Sequence, residues 1–203
     1  NYMQVVTTKD TGIVTVGDLR GKTIAVGAPG SGTEISARRI LAAYDMTYDD
    51  ITPDYLSFAE GVEGIKNGNV DAVVISSGLP NAGILELDTT EDIAIVEIEE
   101  DKIKALAEDY PAYFSTSVPS DTYESMDSDV NTIGVNNVLM THSEVSDDLV
   151  YAMTKAFFDN IDQMRDSHNA AQEIELETAL DNLPAPLHPG AEKYYEEMGI
   201  EGD

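Results

Sequence analysis

The chain of 203 residues carries 39 acidic side chains against 11 basic ones, a formal charge of -28 at pH 7. That balance excludes nucleic acid and anionic membrane surfaces as partners, since both need clustered Lys and Arg, and the one adjacent basic pair is Arg38-Arg39. The absence of cysteine removes disulfides, thiolate nucleophiles and zinc–thiolate centres, and no segment reaches the ~18 unbroken apolar residues of a membrane-spanning helix. Hydrophobic residues still make up 42% and recur along the chain, enough to bury a core in one large domain or two small lobes.

Periodicity and punctuation alternate between strand and helix signals. Met3 to Thr7 is a β-branched run, and Thr23 to Val26 a second strand closed by the Gly-rich stretch Gly27 to Gly32. A helix starts near Thr33, with Ala37, Ile40, Leu41 and Tyr44 as its apolar stripe. Phe58 to Lys66 reads as a helix, Asp71 to Ile75 as a strand, and Ser76 to Pro80 as a loop before a helix from about Asn81. A strand follows at Ala94 to Ile98 and a helix at Glu100 to Tyr110. The Ser- and Asp-rich stretch Ser120 to Asp129 reads as a solvated loop, and Thr132 to Met140 as extended. The spacing of Leu149, Ala152, Met153, Ala156, Phe157, Ile161 and Met164 predicts one long helix capped by Ser146. A Pro-rich hinge at Leu183 to Pro186 precedes a short helix at Ala191 to Met198. The class is α/β, and β-α-β alternation predicts mainly parallel pairing.

The run Gly27-Ala28-Pro29-Gly30-Ser31-Gly32-Thr33 lies between a strand and a helix. Glycines there allow close backbone approach, and the helix start offers unpaired N–H groups and a favourable dipole for a carboxylate or phosphate. A Walker A loop would need Lys where Thr33 stands, and a dinucleotide fingerprint would need Gly where Ile35 stands. A ligand-free turn with a Ser or Thr cap remains the alternative. Asp127 to Asn131 imitates the start of a calcium loop but lacks its Gly and closing Glu, so no metal site is expected. His142, His168 and His188 lack metal-ligand spacing and suit surface or capping roles. No Gly-x-Ser-x-Gly elbow, nucleophile or cofactor motif emerges, so the chain reads as a non-enzyme without cofactors.

The segment from Asp18 through Leu19-Arg20-Gly21-Lys22 to Gly30-Ser31-Gly32-Thr33-Glu34 resembles the central signature of TAXI-family solute-binding proteins. Those proteins serve tripartite ATP-independent (TRAP) transporters. The likeness continues through Tyr55-Leu56-Ser57-Phe58-Ala59-Glu60, Asp71-Ala72-Val73, Asp147 to Tyr151 and Pro186 to Glu192. The resemblance implies a type II periplasmic-binding-protein-like fold, two α/β lobes with crossing hinge strands, the first lobe incomplete. On that analogy residues 1–11 are a hinge strand and remnant of lobe 1, and 12–117 are lobe 2. Residues 118–131 are an acidic loop, and 132–203 the return crossing and the C-terminal part of lobe 1. An export signal and further lobe-1 residues are expected upstream of Asn1.

Matched position by position, the resemblance implies ligand contacts at Gly30, Ser31, Gly32, Thr33, Ser77 and Gly78, with Phe58 at the same edge. It implies a small carboxylate ligand, glutamate, glutamine or a related dicarboxylate, captured by lobe closure and delivered to TRAP permease subunits outside the cytoplasm. The alternatives are an effector-sensing domain of a regulator or an enzyme on the same fold. Seven Lys against 21 Asp and 18 Glu also resembles proteins of extreme halophiles, where hydrated carboxylates keep a chain soluble in molar salt.

Overall fold

The β-branched run at the start of the chain forms β1 (Tyr2–Thr8), whose alternate residues face opposite sides of a seven-stranded sheet. The protein is described from a computed structural model covering residues 1–200. The remaining strands are β2 (Thr23–Ala25), β3 (Thr52–Asp54), β4 (Ala72–Ser77), β5 (Ile93–Ile95), β6 (Tyr113–Val118) and β7 (Val130–Val135). Their order is β3-β2-β4-β1-β7-β6, and β5 pairs with β1 beside this path.

Among the described strands β2 alone has parallel partners on both sides, β3 and β4, and an isolated parallel bridge joins Thr15 and Glu97. β1 runs antiparallel to β4, β5 and β7, and β6 runs antiparallel to β7. The expectation of mainly parallel pairing is therefore corrected. A helical crossover makes strands parallel where it links two neighbours. β1 precedes every such crossover, and β6 and β7 are joined by a loop without a helix.

Four helices cover the sheet: α1 (Gly32–Ala43), α2 (Phe58–Lys66), α3 (Ala82–Asp88) and α4 (Glu100–Asp109). On one face Met3, Val5 and Ile24 pack with Ala37, Ile40 and Leu41 of α1 and with Ile103 and Leu106 of α4. On the other, Val6, Ala25, Val73 and Ile75 pack with Val62 and Ile65 of α2 and with Ile84 and Leu87 of α3. The period of two along β1 thus feeds both cores. α2 sits close to the sheet, because a Cβ at Gly61 would lie 2.6 Å from Val73 Cγ2.

Two strands escape the sequence signals. β3 contains Pro53, which a sheet tolerates at its edge, and β3 is an edge strand. β6 was hidden in a polar Ser/Thr run. The stretch after β6 is a loop with Asp121, Glu124, Asp127, Ser128 and Asp129 exposed, but it is anchored at Tyr123. Tyr123 is 2% exposed within the second core, and the Asp88 carboxylate accepts the N–H groups of Glu124 at 2.6 Å and Ser125 at 3.3 Å. One aromatic anchor outweighs its polar neighbours. The extended stretch expected to Met140 ends as β7 at Val135.

The chain divides into two compact units, Asn1–Val135, which holds the whole sheet, and the residues from Asn136 onward. The second unit contains α5 (Asp147–Asp159), α6 (Ile161–Ser167) and α7 (Pro189–Glu197). The single long helix expected from Leu149 to Met164 breaks at Asn160, whose Nδ2 donates to the Ala156 carbonyl at 2.7 Å. Asn competes in this way with helical backbone bonds. His188 caps α7 by accepting the Gly190 N–H at 3.1 Å, with Pro189 at the first helical position. α7 meets α5 through aromatic contacts, among them Phe158 stacked on Tyr194 at 5.8 Å. Among the described residues no helix is long and apolar enough to cross a membrane.

Candidate functional site

The strand order reverses between β2 and β4. β2 leads into α1 on the first face, whereas β4 leads into α3 on the opposite face. The loops that follow these adjacent parallel strands therefore part to opposite sides, and in such sheets the crevice at the strand carboxyl ends at this point is the usual ligand position. The two loops contain Gly27 to Ser31 and Gly78 to Asn81. β3 runs parallel to β2, so the turn leading to Phe58 leaves the same edge. Topology thus brings Gly30, Ser31, Gly32, Thr33, Phe58, Ser77 and Gly78 to one edge of the sheet.

The first loop is shaped for exposed backbone donors. Gly27 is buried with φ +94°, and a Cβ there would come within 3.1 Å of Thr33 Cβ and 3.2 Å of Ser31 Oγ. Ser31 caps α1: its Oγ accepts the Glu34 N–H at 3.1 Å, leaving the hydroxyl proton to donate elsewhere. The N–H groups of Gly32 and Thr33 open the helix and have no acceptor among the described residues. A Cβ at Gly32 would meet nothing within 4 Å and Gly32 is exposed, so the helix start is open on that side, while Thr33 is buried. Two N–H groups, a hydroxyl and the positive end of α1 converge there.

Glu34, in the first turn of α1, is buried at 1% exposure. Its Oε1 accepts Arg38 Nη2 at 2.5 Å and the Tyr48 hydroxyl at 2.9 Å, while Oε2 has no hydrogen bond among the described residues. The Arg38 guanidinium holds this carboxyl below its usual range, with the Tyr48 hydroxyl and the Gly30 amide acting the same way against the opposing effect of burial. Its charge is therefore compensated by Arg38 and does not close the helix start to an anion.

The second loop is held from within. Ser77 Oγ accepts Gln4 Nε2 at 3.1 Å and Asn81 Nδ2 at 3.2 Å, and donates to the Gly78 carbonyl at 3.0 Å. Tyr123 donates its hydroxyl proton to Gln4 Oε1 at 2.5 Å and accepts the Asn81 N–H at 3.1 Å. Burial pushes the Tyr123 phenol up to about 12, so it stays a donor. Phe58 lies at the first position of α2, after its Ser57 cap, and packs against the second core.

Sequence reasoning missed Gln4, Asn81 and Tyr123. A Gln inside a β-branched run and a Tyr inside a Ser/Asp run were the available signals. His168 and His188 cap helical turns and His142 closes a loop turn, each accepting a nearby backbone N–H. Among the described residues no group of three or more His, Asp or Glu is arranged to hold a metal ion. A depression of about 470 Å³ lies along α2, floored by Leu56, Ala59 and Val70 and rimmed by Asp54, Glu60 and Glu63. Those carboxylates repel an anion, so donor chemistry favours the crevice between β2 and β4.

The model of the NMT1-like family matches residues 1–199. The chain belongs to the NMT1-like family. Solved structures with the same fold include the periplasmic aliphatic sulphonate binding protein SsuA from Escherichia coli. It is 16% identical, with a TM-score of 0.52 over 98% of this chain and 65% of that one. A putative sulfonate ABC transporter protein, the periplasmic sulfonate-binding protein SsuA from Methylobacillus flagellatus KT, is 15% identical, with a TM-score of 0.50 over 97% and 56%. The NMT1-like chain thus has a mixed α/β, periplasmic-binding-protein-like fold and spans less than two thirds of the length of either protein. In this NMT1-like chain the crevice combines an open helix start with a loop fixed by buried polar side chains.

Proposed function

We propose that this NMT1-like chain is the ligand-capturing part of an extracytoplasmic solute-binding protein. It holds a small organic oxyanion at the Gly32 and Thr33 amides and the Ser31 hydroxyl, and the ligand passes on to a membrane permease. The reading is carried by the two unengaged N–H groups beside a free hydroxyl proton, set where the strand order reverses. The run from Asp18 to Glu34 supports a narrower version, a TAXI-type receptor of a TRAP transporter taking glutamate, glutamine or a related dicarboxylate. Capture proceeds by lobe closure, a population shift driven by contacts made only in the closed form. No bond of the ligand is made or broken.

Isothermal calorimetry with glutamate, succinate and ethanesulfonate tests this reading, since ligands of the folded state also raise the melting temperature. At least one carboxylate is expected to bind, and Ser31→Glu, which places a charge of the wrong sign at the site, is expected to abolish binding. Affinity retained in Ser31→Glu would place the ligand elsewhere. Ethanesulfonate binding without either carboxylate would reject the dicarboxylate reading and keep the oxyanion site. The charge of -28 supports work in molar salt, where the Debye length shrinks from about 10 Å at 0.1 M to about 3 Å at 1 M. The melting temperature should rise between low and molar KCl, and equal values would end the halophile reading.

A further inference from the structure

On the reading that the crevice holds an oxyanion, we propose that Gln4, Asn81 and Tyr123 are positioning residues that aim the Leu79 N–H at the ligand. Ser77 itself has little to offer a ligand. Its hydroxyl gives its one proton to the Gly78 carbonyl and takes two hydrogen bonds, from Gln4 and from Asn81, which fills its capacity.

The consequence lies in the next peptide. The Gly78–Leu79 bond is trans, the cis bond of this loop being Leu79–Pro80. In a planar trans peptide the carbonyl and the following N–H point in opposite directions. With the Gly78 carbonyl turned to Ser77, the Leu79 N–H faces away from it, and it has no acceptor among the described residues. Pro80 has no N–H. Leu79 therefore supplies the donor that the fixed carbonyl orients.

Gln4 and Tyr123 are 0% and 2% exposed, so neither touches a ligand in the crevice. Their reach is through Ser77 and Asn81. Tyr123 contributes both a donor to Gln4 and an acceptor to the Asn81 N–H. Losing that hydroxyl releases both at once and frees the loop to turn.

The test is an NMR titration of the 15N-labelled protein with glutamate and with ethanesulfonate, following the amides of Gly32, Thr33 and Leu79. All three should shift in the unsubstituted protein. Tyr123→Phe keeps the ring and removes the hydroxyl. It should bind about tenfold more weakly, the effect of one hydrogen bond, with the Leu79 shift lost and the Gly32 and Thr33 shifts kept at saturation. Ile98→Val, in the other core, lowers stability without touching the loop and should bind normally. If Gly32 and Thr33 shift while Leu79 does not, or if folded Tyr123→Phe binds normally, the proposal is overturned and the crevice reading stands. Equal weakening in Ile98→Val would also overturn it. If neither probe moves any of the three amides, both the proposal and the crevice reading fall.

Discussion

Helices α1 and α5 begin alike and end up in different roles. They have 12 and 13 residues, and each is capped by a serine, Ser31 accepting the Glu34 N–H and Ser146 the Leu149 N–H. The first turn of α5 carries Asp147 and Asp148, which answer the helix dipole with the chain's own charge. α1 begins instead with Gly32 and Thr33, and its one acidic side chain in that turn, Glu34, is bound to Arg38. The same secondary structure is closed by its own carboxylates in one case and left open, for the proposed anion cradle, in the other. Burial differs as sharply. α1 buries Thr33, Glu34, Ser36, Ala37, Ile40 and Leu41, whereas α5 buries only Val150. An apolar stripe states which face is available to be covered, and only the neighbours decide whether it is.

The largest test of that contrast is Ile40→Ala in α1. Ile40 is 2% exposed, so a loss of about 2–5 kcal/mol is expected from the cavity. Chemical denaturation measures it, and a loss below about 1 kcal/mol would mean that α1 is as loosely held as α5.

Gly27→Ala comes next. A side chain at φ +94° with Thr33 at 3.1 Å forces either strain or a shift of the cradle, for a cost of about 1–3 kcal/mol. Weaker binding of the anion should accompany the lower melting temperature. Unchanged binding would separate the cradle from Gly27.

Acid sharpens the comparison of the two helix starts. Because Arg38 holds Glu34 below its ordinary value of 4.5, the stabilisation is complete above that pH and is lost as pH falls through the depressed folded-state value. Glu34→Gln should therefore lose stability at pH 6 and show a smaller further loss between pH 6 and pH 3 than the parent chain. Parallel stability curves for the two proteins would remove Glu34 from the account.

The smallest effect is expected at Met153 on the exposed face of α5, where exposure is 49%. Met153→Gln keeps helix propensity and should change stability by less than about 0.5 kcal/mol. A loss above about 1 kcal/mol, measured by the same denaturation, would show that this face is covered in solution.

Much of the fold was legible because local patterns report it directly. The Gly-rich run between β2 and α1, the stripe of Ala37, Ile40 and Leu41, and the helix at Phe58 to Lys66 each follow from spacing and caps alone. β3 was not legible, since a strand of three residues with a central proline has no periodicity to read. Nor was the break at Asn160, where a single side-chain bond to Ala156 overrides an unbroken apolar pattern. Of the site, the first loop could be read and the second only in part. Ser77 and Gly78 were in view, but the hydroxyl of Ser77 is already occupied by its neighbours Gly78 and Asn81 and by Gln4 from a distant strand.

By itself the sequence determined the acidic surface, the absence of thiol chemistry, the α/β alternation and an open helix start at Gly32 and Thr33. These depend on composition and on neighbours within a few residues, where backbone sterics and capping act. Only the tertiary structure decided that β1 runs antiparallel to β4, that β2 and β4 send their helices to opposite faces, and that Gln4 and Tyr123, 119 residues apart in the chain, share a hydrogen bond. Burial supplies the reason. Once folding removes water from Gln4, its amide must find partners inside the protein, and which partners it finds depends on packing between segments that no local pattern connects.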